Sequence, residues 1–546
     1  MRPPWKWLPA SGWKRWLGIL LMTCGSFVLL VATLVISVII AWQNPGFQSW
    51  AISKLMTLSQ PAFKEEAESA PPPTPSYRGF EARGADVHEV ADIYRNTNVW
   101  RVELAFTEEE WSKLSPKRVP PIPGFMQRDG RPQLRNTNAI RNGLAGVLGF
   151  EFPWSSATVD IGGAVFTNAG VRIKGNGTFL SSLGTYKHPY KVELNHHVKG
   201  RKWAGKSTFN FGNLTADFSH VGDALGYEFY REAGVPAPRT AFARMFLTIP
   251  GRAEHRLLGP YIMAENPDET WARERFGKKS VALFKPVTYE LFSDLGTNWN
   301  AYAGIYDPKT KLTPEQEQQV IHAVQFVAHT SDADFAAKLA AHFDLGEIAR
   351  FFACETLLSN YDGIYSNGQN FLMYLDSDSG RLGFIPWDLD HSWGEFPFLG
   401  NAQQREHSDI WHPWVWNNRF LERLFAAAPF REAYKRELNR LLETQFVPAR
   451  LNRRVDTLAA VVRPLVAEAS TNRLARFEVA VSSSYSDGPR DAERPDAPDR
   501  PIWQVKRFIE NRARDVRDQL DGKSKGVRVV YNAEKDSAER RRREKH

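Results

Sequence analysis

Asp362 and Asp388 are acidic residues of the kind, and in the kind of setting, that phosphoryl transfer requires. Asp362 lies in the loop Ser359-Asn360-Tyr361-Asp362-Gly363, and Asp388 ends the apolar run Phe384-Ile385-Pro386-Trp387. One carboxylate can hold a divalent cation that bridges phosphates, while a second orients the attacking hydroxyl. Carboxylates that converge without a cation repel each other and rise in pKa. Either aspartate alone is explained by local hydrogen bonding at a turn or a strand end. Together they bracket a hairpin: a polar loop from Gly363 to Gln369, then Asn370, the run Phe371 to Tyr374, a turn from Asp376 to Gly380, and a second run into Asp388.

In protein kinases the catalytic-loop aspartate is followed five residues later by a metal-binding asparagine, and another metal-binding aspartate follows a short strand pair. Spacing selects Asn367 here, whereas position just before the strand selects Asn370. Asn370 ranks first and Asn367 remains open. A kinase also uses a strand lysine, held by a helix glutamate, to reach phosphate. Lys191 in the strand Tyr190 to Leu194, Lys174 and the more distant Lys285 are candidates for that lysine, and Glu228 is the candidate partner. The loop Lys174-Gly175-Asn176-Gly177-Thr178 offers backbone amides that can cradle phosphate. The break Glu265-Asn266-Pro267-Asp268 offers backbone groups to an adenine ring.

The elements that position these residues divide the chain. Alternation predicts a strand over Val99 to Phe106, and Thr107 to Glu110 opens a short capped helix. Ala157 to Phe166 reads as a hairpin turning at Gly162-Gly163. The stretch Ser219 to Ala233 is helical, with Val221, Leu225 and Phe229 on one face, and Gly234 ends it. Strands over 240–249 and 257–264 lead to the break at Glu265. Beyond it Thr313-Pro314-Glu315 begins one helix, and Asp344 to Glu347 caps the next, which runs into the Asp362 loop. A helix from Trp503 to Leu520 closes the body, after a Ser- and Pro-rich insertion over 482–501.

A family resemblance emerges from several segments in order. Gly170 to Thr178, Pro189 to Asn195, Gly234-Val235-Pro236-Ala237, Asn360-Tyr361-Asp362, Asn370 to Tyr374, and Pro386-Trp387-Asp388-Leu389-Asp390 with Trp393-Gly394 resemble the spore coat protein CotH family. The resemblance extends from about Asn98 to about Leu520. It implies an atypical kinase that uses ATP and Mg2+ or Mn2+ to phosphorylate Ser or Thr hydroxyls of coat or envelope proteins. It also implies Asp362 as the catalytic aspartate, Asp388 as a metal ligand assisted by Asn370, and Asp390 as a second-metal candidate. The fold expected is α+β: a two-lobed, protein-kinase-like body with a strand-rich lobe over 98–268 and a helical lobe over 269–525. A noncatalytic envelope scaffold or adhesion protein on the same fold is the alternative.

The chain has 546 residues with 42% hydrophobic content, enough for more than one core. Its net charge of +8 owes much to a tail over 526–546 containing Arg540 to Arg543, and no basic and aromatic alternation suggests nucleic acid. Leu17 to Ala41 carries no charge and is flanked by Trp16 and Trp42, so it reads as a transmembrane helix. Arg2, Lys6, Lys14 and Arg15 precede it in segment 1–16, which places the amino terminus in the cytoplasm and the main domain outside, as a single-pass membrane protein. Segment 42–97 is a Pro-rich linker. Cys24 and Cys354 are too differently placed for a disulfide within the domain.

Overall fold

Alternation of apolar and polar residues builds the first half of the structure. The computed structural model describes residues 77–530 apart from 78, 121, 123–126, 128–130, 278–279 and 485–501. Seven strands are β1 (Val99–Ala105), β2 (Ser155–Ile161), β3 (Ala164–Ile173), β4 (Tyr190–Glu193), β5 (Thr208–Gly212), β6 (Thr240–Ile249) and β7 (Ala253–Glu265). They close into a barrel in the order β1-β2-β3-β4-β5-β7-β6. Closure comes from β1 and β6, which pair in parallel from Val99 opposite Phe242 to Ala105 opposite Thr248. Every second side chain points inward, so Val102, Val159, Val171, Ile173, Val192, Phe209 and Phe211 share one core. Gly162 and Gly163 turn the β2–β3 hairpin with φ of 59° and 90°, a conformation glycine adopts without penalty.

The helix α1 (Gly222–Ala233) leaves the barrel before β6 and ends on Gly234 at φ 88°. It packs with α2 (Leu345–Leu357) in the second, larger core. Nearly all of α2 after its first turn is buried, and Asp344 caps it by accepting from the Glu347 N–H at 3.0 Å. A small antiparallel sheet follows the order β8 (Val281–Phe284), β9 (Phe371–Asp376), β10 (Arg381–Pro386), with Leu372 opposite Ile385. Helices α3 (Ala428–Thr444), α4 (Pro448–Ala469) and α5 (Val505–Leu520) enclose this half. Arg512 of α5 is fully buried, donates to the Thr356 and Ser408 carbonyls, and pairs with Asp515 at 3.2 Å. It ties the closing helix to the end of α2.

This architecture corrects the expected two-lobed, kinase-like fold behind a transmembrane helix. The strands of 98–268 form no open lobe sheet, because β1 pairs with β6 and the sheet closes on its own core. Among the described residues no helix is long and apolar enough to cross a membrane. The run 17–41 lies outside the described residues, as do most of the linker, the end of the basic tail and most of the insertion. The single-pass localisation rested on that helix and is corrected with it.

Burial gives the barrel a measurable acid sensitivity. Desolvation beside Phe179 and Tyr190 lowers His188 from its ordinary 6.5 to about 4. The unfolded chain therefore binds this proton between those values while the folded chain does not, so stability is lost as pH falls through that window. The contribution is about 3 kcal/mol. A His188→Gln variant, followed by denaturant unfolding from pH 7 to 4.5, is expected to lose less stability than the parent.

Candidate functional site

The outer face of the barrel forms one wall of a cleft of about 710 Å³. Strand register sets its side chains in rows: Arg172 lies opposite Lys191, and Lys191 opposite Asn210. The facing wall comes from the small sheet and its ends, with Lys285, Asn370, Leu372, Trp387 and Asp388, while Asn266, Pro267 and Asp268 follow β7 at the edge. The cleft therefore exists only where barrel and sheet meet.

Asp362 is buried below Asn370, and both of its oxygens are engaged. Asn367 donates to Oδ1 at 2.6 Å and Asn370 donates to Oδ2 at 2.8 Å. The two asparagines, one selected by spacing and the other by position before the strand, thus both serve one carboxylate. Since Asn370 spends an amide hydrogen on Asp362, its Oδ1 is the atom left for a cation. Asn370 takes φ 59° and so does Asp388, a left-handed conformation that costs about 1 kcal/mol and that Asn and Asp tolerate best.

Asp388 is held in that conformation by α1. The Asp388 N–H donates to the Tyr227 hydroxyl at 2.8 Å, and the Leu389 N–H donates to Asp223 Oδ1 at 2.9 Å. Asp223 and Tyr227 are one turn apart. The indole of Trp393 donates to the Gly222 carbonyl at 3.1 Å. A Cβ on Gly226 would lie 2.9 Å from Leu389 Cδ1, so the helix meets this loop through its glycine face.

Acidic groups converge here. Asp362, Asp390 and His391 each offer a ligand atom within 4.8 Å of the others. Burial raises Asp362 to about 6, against the pull of His391 and with the push of Asp388. Burial and then Asp388 raise Asp223 to about 7, and burial carries Asp390 well up. His391 behaves oppositely: burial would lower it, but Glu395, in short contact with Nδ1, and Asp390 raise it to about 10. An imidazolium thus offsets part of the charge. Asp388 and Asp390 repel each other, and Asp388 shares the cleft with Asn370. Carboxylate and amide oxygens of this kind are the ligands a hard divalent cation takes, and a cation would relieve the remaining repulsion.

The other expected residues separate into groups. Lys174 and Lys285 lie over the Trp387 ring at 5.8 and 5.5 Å, next to Asp388. Burial lowers Lys285 to about 7, with Asp388 the largest opposing influence. Lys191 lines the cleft but pairs with Glu193 at 3.4 Å. Asn176 lines it too, and its Oδ1 accepts from the Ala145 N–H at 3.2 Å. Glu228 is not brought to these lysines: it pairs with Arg454 of α4 at 2.6 Å and contacts Asn96. Glu265 is 0% exposed and binds Arg239, Lys206 and Arg275, so its neighbours Asn266 to Asp268 face the cleft instead. Asp223, Tyr227 and His391 went unnoticed in the sequence. The pair Gly222 and Gly226, on one helix face, was the readable sign of a close approach there.

Comparison with known proteins follows the same residues. A family model described as CotH kinase protein matches residues 171–516. The chain is 24% identical over 292 residues to the inner spore coat protein H of Bacillus subtilis strain 168, covering 53% of this chain and 77% of that protein. It is 21% identical over 197 residues to invasin CotH7 of Rhizopus delemar, covering 36% of this chain and 32% of that protein.

Tyr227 offers a direct check on how α1 holds Asp388. Replacing it in Tyr227→Phe leaves the Asp388 N–H without its acceptor, at a cost of about 1–3 kcal/mol. Denaturant unfolding should register that loss, and calorimetric titration with Mg2+ or Mn2+ should show weaker binding. An unchanged cation affinity would mean that the hydroxyl does not position Asp388.

Proposed function

This chain belongs to the CotH kinase protein family, and from that premise we propose that it transfers the terminal phosphoryl group of ATP to Ser or Thr hydroxyls of proteins, using Mg2+ or Mn2+. The observation that carries this reading is the nearness of Asp362, clamped by two asparagine amides directly beneath the cleft residue Asn370, to Asp388, which lines the cleft beside a pair of lysines. The name of the Bacillus subtilis relative, a spore coat protein, supports coat or envelope proteins as acceptors.

Asp388 and Asp390, with Asn370 Oδ1, would hold the cation. When bound, it supplies positive charge to the phosphate oxygens as negative charge shifts to the leaving group. Asp362 accepts a hydrogen bond from the acceptor hydroxyl and orients its lone pair, the two amides fixing the carboxylate plane. With its value near 6, it is largely ionised at neutral pH and can take the hydroxyl proton. Lys174 and Lys285 place charge against the phosphates. Burial lowers Lys285 to about 7, and a phosphate anion beside it favours its protonated form. Leu372 and the segment Asn266 to Asp268 flank the space for the base.

Calorimetry with ATP and Mg2+, together with phosphate transfer to a Ser/Thr protein, tests this reading. Asp388→Ala is expected to abolish metal-dependent nucleotide binding. Asp362→Asn should still bind nucleotide while transfer falls by about 10²–10⁴-fold. A folded parent protein that neither binds nor turns over ATP would overturn the proposal and leave a noncatalytic scaffold.

A further inference from the structure

The cleft carries more positive charge than the nucleotide grip uses. Six cations line it: Arg141, Arg172, Lys174, Lys191, Lys285 and Lys309. Lys191 pairs with Glu193, Lys309 pairs with Asp307 at 2.6 Å, and Lys174 and Lys285 flank Trp387 beside Asp388. Arg141 and Arg172 are left, and among the described residues neither forms an ion pair. The nearby carboxylates, Glu151 near Arg141 and Glu193 near Arg172, act on the arginines only at a distance and take their direct contacts from other groups. Glu151 accepts from the Ile140 N–H at 2.6 Å, and Glu193 serves Lys191 and His196.

Both arginines are held in place. The Arg141 guanidinium lies 4.3 Å from the centroid of the Phe152 ring and donates from Nη2 to the Gly175 carbonyl at 2.8 Å and to Asn176 Oδ1 at 3.4 Å. Its Nε is buried with no hydrogen-bond partner. Arg172 lies 5.1 Å from the Trp154 centroid and donates from Nη1 to the Ile173 carbonyl at 3.0 Å. Each spends one or two of its five N–H donors, on a guanidinium that lines the cleft. Phe152 and Trp154 are two residues apart, and the two guanidinium groups over them line the same cleft near enough to act on each other. Burial lowers Arg141 to about 10, and the like charge of Arg172 adds to that.

The two cation clusters have different surroundings. Asp388, Lys309, Lys174 and Asp307 act on Lys285, whereas Arg172 and Glu151 act on Arg141. Ile140, beside Arg141, is 95% exposed at the rim of the cleft. Arg141 therefore lies within one residue of an exposed apolar side chain at the cleft, which an acceptor chain can contact. Adjacent guanidinium forks match a carboxylate or a phosphate.

We propose that Arg141 and Arg172 form an anion subsite for a carboxylate or phosphate group borne by the acceptor near its hydroxyl, separate from the grip on the donor phosphates. The proposal deepens the phosphotransferase reading and rests on it. Its test uses the full protein with saturating ATP and three Ser peptides, one neutral, one with Glu residues beside the Ser, and one with a phosphoserine beside it. The parent is expected to favour an anionic peptide in kcat/KM by about 10–100-fold. Which of the two gains identifies the source of the anion. In Arg141→Gln and Arg172→Gln that ratio should collapse toward one while the KM for ATP stays constant. Arg141→Lys, which keeps charge and loses the fork, should fall between. A raised KM for ATP with the peptide preference intact would assign the arginines to the donor and overturn the proposal. Equal use of all three peptides by the parent would also overturn it. Binding of the same peptides with Ala in place of the acceptor Ser, followed by calorimetry, separates the two claims. Loss of anionic-peptide binding in Arg141→Gln supports the subsite even where phosphate transfer fails, and equal binding of neutral and anionic peptides by the parent refutes it.

Discussion

The hold of α1 on the backbone at Asp388 and Leu389 is the constraint on which the cleft depends. A strand that leaves the small sheet must turn at once to aim a carboxylate back into the cleft, and it does so in a left-handed conformation. Two side chains on one face of α1 accept the N–H groups that this turn exposes, and a third contact ties Trp393 to the same helix. Gly226 lets the helix come close enough, since a Cβ there would meet Leu389. Because α1 joins the barrel to the helical half, one rigid element sets the position of Asp388 relative to the barrel wall that faces it.

Beneath Asp362 the support is of another kind. The loop follows directly from α2, whose buried face is packed against α1 and the small sheet. Glu355 lies within that helix, accepts from the Tyr230 hydroxyl at 2.5 Å, and is raised by burial to about 8. It is therefore neutral near pH 7 and adds no negative charge below a loop that already carries Asp362. Carboxylates gather at the sheet ends with one imidazolium set among them and Lys285 beside Asp388, while the barrel wall opposite carries Arg172, Lys174 and Lys191 with Glu193.

Many local features were legible in the chain itself. Thr107, Thr313 and Asp344 cap the helices they were expected to cap, Gly162-Gly163 turns its hairpin, and Gly234 ends α1. Each depends on residues within a few positions of one another. The two apolar runs around Asp376 to Gly380 pair as β9 and β10 for the same reason. Barrel closure was not legible, because the β1–β6 pairing joins segments about 140 residues apart by backbone groups that carry no sequence label. Glu228 was misjudged on similar grounds. Its position on the core edge of α1 was visible, but its partner, Arg454, comes from a helix that nothing near it announces.

The sequence by itself determined the family to which the motifs belong and the short elements that present the aspartates, the asparagine-rich loop and the strand lysines. Tertiary structure decided which of those groups meet. It brought both asparagines to Asp362, set Lys285 beside Asp388 and directed Glu265 into a buried ion cluster. It also supplied Tyr227 from 161 residues away. Caps and hairpins are written in neighbouring residues, whereas a hydrogen bond or a charge pair across a cleft depends on how whole elements pack.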